Sequence, residues 1–281
     1  MEKLRFLHIP KTAGSTFKRI LLRQYKGAGH FVFKGNNPLD IERFNALSAS
    51  ERKAIKLFTG HAPIVTGIRE ADEVPIITIL RDPVKRVMSF CQHVSEGKSP
   101  HLLKYHPPET FNLDEFLESG NSELSNLQSR MLINYERDGQ GLLIENLTEQ
   151  QIVGKSLDNL CSKITCYGLQ EYFDQSLVLF ARRLAWKTPY YESVNRPNTK
   201  QLLKFEERHI DRIKELNTVD IEFYTKAKQR FLSKIENDDE FLRQYNRFRT
   251  NQKALSPFIK CYGGLGRYAK RCYRAVFSGA H

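Results

Sequence analysis

Residues 3–20, KLRFLHIPKTAGSTFKRI, most constrain what this chain can fold into. A short apolar-rich run over 3–9 leads through a loop of small residues at 10–16 into Phe17, Ile20, Leu21 and Tyr25, which recur at helical spacing over 17–25. An apolar strand handing over to an amphipathic helix through a tight loop is a β-loop-α unit. A second unit follows. Residues 74–80, VPIITIL, are rich in β-branched side chains and read as a central parallel strand. Arg81-Asp82-Pro83 ends it, with Asp82 suited to an N-cap and Pro83 to a first helical position, so a helix is predicted over 84–94. A third unit has a strand over 164–169 and a helix over 172–185, with Leu177, Phe180, Ala181 and Leu184 on one face. Strands alternating with helices predict an α/β fold with a central parallel sheet flanked by helices.

Between and after these units the pattern is simpler. Residues 95–112 hold Gly97, Pro100, Pro107 and Pro108 and read as a loop; 113–135 read as helix. Residues 138–141 break the chain, 147–160 resume a helix, and 187–200 form a second loop. Beyond 201 the spacing of Ile210, Ile213 and Leu216, then Phe223, Ala227 and Phe231, predicts long amphipathic helix. Residues 26–60 carry no motif. There is no internal repeat, so the expected organisation is one domain over 1–240 with a helical C-terminal extension over 241–281.

Composition excludes several classes. At 281 residues, 40% hydrophobic and 27% charged, the chain is long and apolar enough to bury a full core, and is neither fibrous nor wholly disordered. No stretch approaches the roughly 20 apolar residues of a membrane helix. Lys3 and Arg5 interrupt the only apolar run near the N-terminus, so no signal-peptide core is present. Five cysteines with no CxxC pair suggest reduced thiols and a cytoplasmic location; in an excised lumenal domain Cys161 and Cys166 would be the pair to join.

The net charge of +12 is unevenly placed. Residues 241–281 hold nine Lys or Arg and no Asp or Glu, leaving about +3 for the first 240, and eight aromatics are interleaved there. In 266–277, Tyr268, Cys272 and Val276 share one helical face, with Arg267, Lys270, Arg271 and Arg274 around the rest. That pattern suits a polyanion-binding or membrane-peripheral helix as well as a solvated terminal one. No nucleic-acid motif accompanies the charge.

Two loops carry the chemistry. In Lys11-Thr12-Ala13-Gly14-Ser15-Thr16 the small residues let backbone approach an anion, the following helix start offers free N–H groups, and Lys11 adds a charge. The Lys precedes the Gly, so the loop is not GxxxxGK[ST]. Arg81 lies at a strand end, where ligands bind in open α/β sheets, and Ser89 lies a little over two helical turns on; together they suit a second phosphate. His101 and His106 sit in a Pro-bearing loop without a carboxylate or Cys cluster, so no metal site is expected. His8 reads as structural, His93 as facing solvent, and Arg86 either as assisting the nucleotide or, the preferred reading, as an i+4 partner of Asp82.

This pair of motifs resembles the sulfotransferases that use 3′-phosphoadenosine 5′-phosphosulfate (PAPS), and is most similar to the glycan-modifying group with the heparan sulfate 2-O- and 6-O-sulfotransferases. The resemblance implies a P-loop-like three-layer fold. It assigns Lys11, Thr12, Ala13, Gly14, Ser15 and Thr16 to the 5′-phosphosulfate, Arg81 and Ser89 to the 3′-phosphate, and, by position alone, Arg196 and Lys200 to a loop over the nucleotide. Gly60-His61-Ala62 resembles the family's catalytic His segment, Asn126 to Leu132 a segment of the 6-O group, and Tyr167-Gly168-Leu169-Gln170-Glu171 its Gly-Leu-Thr-Glu strand end. Thr59 stands where the 2-O enzymes carry a second His, and the membrane anchor of the Golgi enzymes is not seen.

The implied activity is in-line sulfuryl transfer from PAPS to a hydroxyl of a carbohydrate or glycolipid, with His61 as general base, Lys11 stabilising the leaving phosphate and no metal. Two rivals remain: a small-molecule kinase with an unusual phosphate loop, and a polyanion- or membrane-binding module with a vestigial site. The location implied is cytoplasmic, with peripheral membrane contact through the tail as an option, or the Golgi lumen for an excised domain.

Overall fold

The apolar runs that read as strands all enter one sheet. The computed structural model describes residues 2–35, 37–133, 147–187, 189–191 and 202–254. Its strands are β1 (Leu4–Leu7), β2 (Gly29–Phe33), β3 (Ile55–Gly60), β4 (Ile76–Leu80) and β5 (Ile164–Leu169). All pairs are parallel and the order is β2-β3-β1-β4-β5. Every residue of β4 is buried, as a strand enclosed on both sides and both faces requires.

The helices are α1 (Gly14–Gln24), α2 (Asn37–Asn45), α3 (Ala49–Ala54), α4 (Arg69–Asp72), α5 (Pro83–Ser95), α6 (Leu113–Glu118), α7 (Leu127–Leu132), α8 (Glu149–Ser162), α9 (Phe173–Arg183), α10 (Glu207–Glu215) and α11 (Thr218–Glu236). A further helix, α12, covers 239–254. It runs across the division expected at 240 and is docked, with Phe241 and Phe248 in the main core and Phe248 stacked on Tyr190 at 5.7 Å. The expected 266–277 helix lies outside the described residues.

The topology explains why distant motifs meet. The chain leaves β1 for the sheet edge at β2, returns beside β1 as β3, then crosses to β4 on the other side of β1. The strand order therefore reverses around β1, and the crevice for ligands opens at the carboxyl ends of β3, β1 and β4. Leu7 is level with both Gly60 and Thr78, so His8 and His61 leave adjacent strand ends and Arg81 follows three residues past Thr78.

The structure differs from the sequence reading in four places. Residues 26–60, without a motif, contain β2 and β3; α3 passes into β3 without the Gly or Pro that signals a boundary. The single helix expected over 113–135 is broken into α6, a 3-10 turn at Ser122–Leu124 and α7, because Gly120 and Asn126 both take left-handed backbone, φ 68° and 43°. Arg86 does not pair with Asp82. It is fully buried and donates Nη2 to the Glu123 carbonyl at 2.7 Å, while Asp82 caps α5 by accepting from the Lys85 N–H. The helix of the first unit also begins three residues early, at Gly14.

Candidate active site

The loop after β1 is held in a conformation that ordinary side chains resist. Lys11 and Ala13 both have positive φ, 69° and 67°, with Thr12 between them. Left-handed backbone costs a non-glycine residue roughly 1–2 kcal/mol, so neighbours must impose it. Thr12 Oγ1 donates to the Ile9 carbonyl at 2.9 Å, and Arg81 Nη1 donates to the Lys11 carbonyl at 2.9 Å. Successive N–H groups around such residues form a concave anion cradle, and it opens onto the start of α1. No side chain caps that helix and no acidic residue stands in its first turn, so its positive end is left for a ligand.

Within the cradle the predicted residues take different places. Thr12 is buried with its hydroxyl already engaged, so it can offer an anion only backbone. Ser15 is exposed and Thr16 is buried. Gly14 is fixed by packing: a Cβ there would lie 1.7 Å from His8 Nε2. The His8 ring stacks on Phe6 at 5.3 Å and lies 4.4 Å from the His61 ring, and burial pushes its pKa down to about 3, so it stays neutral. Burial also brings Lys11 down to about 8, helped by the Arg81 and Lys98 charges.

His61 is oriented by backbone. Gly60 before it has φ 127°, and a Cβ there would come within 2.2 Å of the Phe33 carbonyl, so only glycine lets the chain turn at this strand end. His61 Nδ1 lies 2.9 Å from the His8 carbonyl. A carbonyl only accepts, so Nδ1 carries the proton and Nε2 keeps its lone pair. The side chain reaches solvent, yet surrounding protein desolvates the ring and lowers its pKa from the ordinary His value, partly offset by the hydrogen bond to His8. Thr59, where a second His was considered, instead has its hydroxyl 2.8 Å from His30 Nε2 of the neighbouring strand.

Arg81 leaves the end of β4 toward the cradle. Its Nε is buried without a hydrogen-bond partner among the described residues, as are Nε and Nη1 of Arg86. Ser89 and His93 share one face of α5 at i, i+4 spacing. His93 is half-buried rather than facing solvent, and its pKa falls to about 4 through burial and the charges of Lys11 and Lys98. The Lys11 charge thus reaches His93, one helical turn beyond Ser89. Arg196 and Lys200 lie outside the described residues.

Two further groups were not singled out by the sequence. Lys18 on α1 depresses the pKa values of His8, His30 and His61 together. Glu123 raises those of Lys11 and His61 and sits 3.4 Å from His101 Nε2. A periodic pattern marks neither, because each reaches the site only through the fold. Among the described residues no cluster of His, Cys, Asp or Glu is placed to hold a metal ion, and no helix is long and apolar enough to cross a membrane. Cys91, Cys161 and Cys166 are free thiols.

Comparisons with known proteins span the part of the chain that carries these residues. Similar curated proteins include heparan-sulfate 6-O-sulfotransferase 2 of Danio rerio, 26% identical over 97% of this chain and 66% of its own length. The Gallus gallus protein of that name is 26% identical over 89% of this chain and 70% of its own length. The Homo sapiens one is 27% identical over 91% and 48%. The chain thus spans between about half and 70% of the length of these relatives. A crystal structure of mouse sulfotransferase SULT7A1 complexed with PAP superposes with a TM-score of 0.39 at 12% identity, covering 96% of this chain and 89% of that one. The profile of the Sulfotransferase family matches residues 1–227, which include the cradle, His61, Arg81 and α5, and the chain belongs to that family.

Proposed function

We propose that this chain transfers a sulfuryl group from PAPS to a hydroxyl of a carbohydrate, with an acidic polysaccharide of the heparan sulfate kind as the acceptor class. The observation that carries this reading is His61 Nε2, a proton acceptor fixed in one tautomer by the His8 carbonyl, beside an anion cradle that holds Lys11. The names of the relatives favour the polysaccharide over a glycolipid.

The residues present suit this donor. Two phosphate-bearing ends need two cationic pockets, and Arg81 Nε, buried without a partner, is an orphan that an anion would satisfy. The cradle from Lys11 to Thr16 would take the 5′ end, and Arg81 with Ser89 the 3′-phosphate. PAPS supplies the sulfuryl group. Lys11 holds positive charge where negative charge develops on the leaving side. His61 Nε2 takes the proton of the acceptor hydroxyl, and its Nδ1–H bond to His8 keeps the ring in place as it becomes charged.

These roles set opposite limits on pH. His61 must be neutral and its pKa lies below the ordinary value, so kcat/KM rises with pH below about 6.5. Lys11 must be protonated, and with a pKa of about 8 it loses its charge as pH passes that value, so kcat/KM falls there. A bell-shaped profile is expected, with an alkaline limb that disappears in Lys11→Arg if that variant turns over at all.

The basic tail fits an acidic acceptor. Arg243, Arg247, Arg249 and Lys253 are exposed on α12, whose other face carries Phe241 and Phe248 into the core. Such an acceptor favours a lumenal compartment over the cytoplasmic one expected from cysteine usage. Calorimetry with 3′,5′-ADP against ATP with Mg²⁺, followed by a labelled-PAPS transfer screen over polysaccharides, glycolipids and simple sugars, tests the reading. Tighter binding of 3′,5′-ADP and label in a polysaccharide are expected. Preference for ATP would establish the kinase instead.

A further inference from the structure

The end of β4 is gripped on three successive backbone groups by two side chains from elsewhere in the fold. Gln128, fully buried at the start of α7, accepts from the Arg81 N–H at 2.9 Å and donates Nε2 to the Arg81 carbonyl at 2.7 Å. Glu171, just past β5, accepts from the Asp82 N–H at 3.1 Å. A strand end beyond the last ladder pair would normally leave these groups to water. Here the peptide of the arginine that faces the cradle is locked in place.

Each gripping residue is in turn held by α11. Asp220, buried, accepts from the Gln128 N–H at 2.9 Å, the Ser129 N–H at 2.8 Å and Ser129 Oγ at 2.6 Å. Asn126 Oδ1 accepts from the Asp220 N–H at 3.0 Å, closing the loop. Tyr224, one helical turn on, donates its hydroxyl to Glu171 Oε2 at 2.7 Å. Glu171 is the foremost of the charges that favour the protonated guanidinium of Arg81. One helix face thus anchors both arms of the grip.

The far end of Arg81 shows what the grip controls. Its Nη1 reaches the Lys11 carbonyl at 2.9 Å, so the side chain spans the two anion loops. We propose that Gln128 and Glu171, anchored by Asp220 and Tyr224 of α11, are positioning residues that set where the Arg81 guanidinium meets the 3′-phosphate of the nucleotide. The inference rests on the reading of Arg81 as the 3′-phosphate ligand. It predicts that loosening the grip harms recognition of that phosphate and spares the 5′ cradle.

The test compares affinities for 3′,5′-ADP and 5′-AMP by calorimetry in the whole chain, with thermal melting as the check on folding. Gln128→Glu keeps the shape but replaces the donor to the Arg81 carbonyl with a repelling oxygen. It is expected to lower the preference for 3′,5′-ADP by about tenfold with 5′-AMP affinity little changed, the loss of roughly one well-placed hydrogen bond to a charged group's mount. Tyr224→Phe keeps the ring and removes one anchor, and is expected to lower the preference by about threefold; it carries the test if Gln128→Glu does not fold. The KM for PAPS is expected to rise in both while kcat changes less. A preference that stays at the wild-type value in the folded variants overturns the inference, as does an equal fall in both affinities, which would mark a general structural role. If the wild-type chain shows no preference for the 3′-phosphate, it is the assignment of Arg81 that fails.

Discussion

Replacing His61 with alanine is expected to lower turnover by about 10²–10⁴ while 3′,5′-ADP affinity stays within about twofold. The ring is placed for proton transfer and not for holding the nucleotide. Its Nδ1 is tied to the His8 carbonyl, so only Nε2 can act, and burial keeps it unprotonated near neutral pH. Lys18 contributes to that low pKa and Glu123 opposes it, so the base is tuned by opposite charges from α1 and from the 3-10 turn. Single-turnover rates with saturating donor and a polysaccharide acceptor, together with calorimetry, measure the two quantities separately. Unchanged turnover would remove His61 as the base. Equal loss of turnover and nucleotide affinity would show that the ring props up the cradle instead.

Much of this site was legible because its parts are local. A strand, a loop of small residues and a helix lie within 21 consecutive residues, Leu4 to Gln24, and Arg81-Asp82-Pro83 carries its own strand end and helix start. The strand of the third unit, expected near 164–169, is β5 at Ile164–Leu169. What stayed hidden depends on distance. β2 is flanked by Gly27 and Gly35 and β3 ends at Gly60, but α3 runs into β3 with no Gly or Pro between them, and the break of 113–135 came from left-handed backbone at Gly120 and Asn126, of which only the glycine carries an obvious cue. Periodicity did not show that the Lys11 charge reaches His93 or that Gln128 holds the Arg81 peptide, because both facts depend on how helices settle on the sheet.

The second large effect concerns Gly14, where adding one methyl group is expected to cost more function than stability. An alanine Cβ would lie 1.7 Å from His8 Nε2, 2.1 Å from Cδ2 and 2.5 Å from Cε1, which no rotation of the methyl relieves. The ring has little room to retreat, being stacked on Phe6 and set against His61. Overpacking of this kind typically costs about 1–3 kcal/mol, so Gly14→Ala should melt lower and still fold. The displaced groups, however, are the ones the reaction needs: the start of α1 that completes the cradle, and the His8 carbonyl that orients His61. Misplacing reacting groups by about 1 Å can cost roughly 10²-fold, and here both donor binding and proton transfer are displaced together. Losses of about 10² in 3′,5′-ADP affinity, with a still larger fall in kcat/KM, are therefore expected. His8→Ala opens the space that the new methyl requires. In the double variant Gly14→Ala, His8→Ala the loss in nucleotide affinity should be smaller than the two single losses combined, since the clash no longer exists. Strict additivity would mean that His8 and Gly14 act apart, and that the ring packed over the helix start has no part in shaping the cradle.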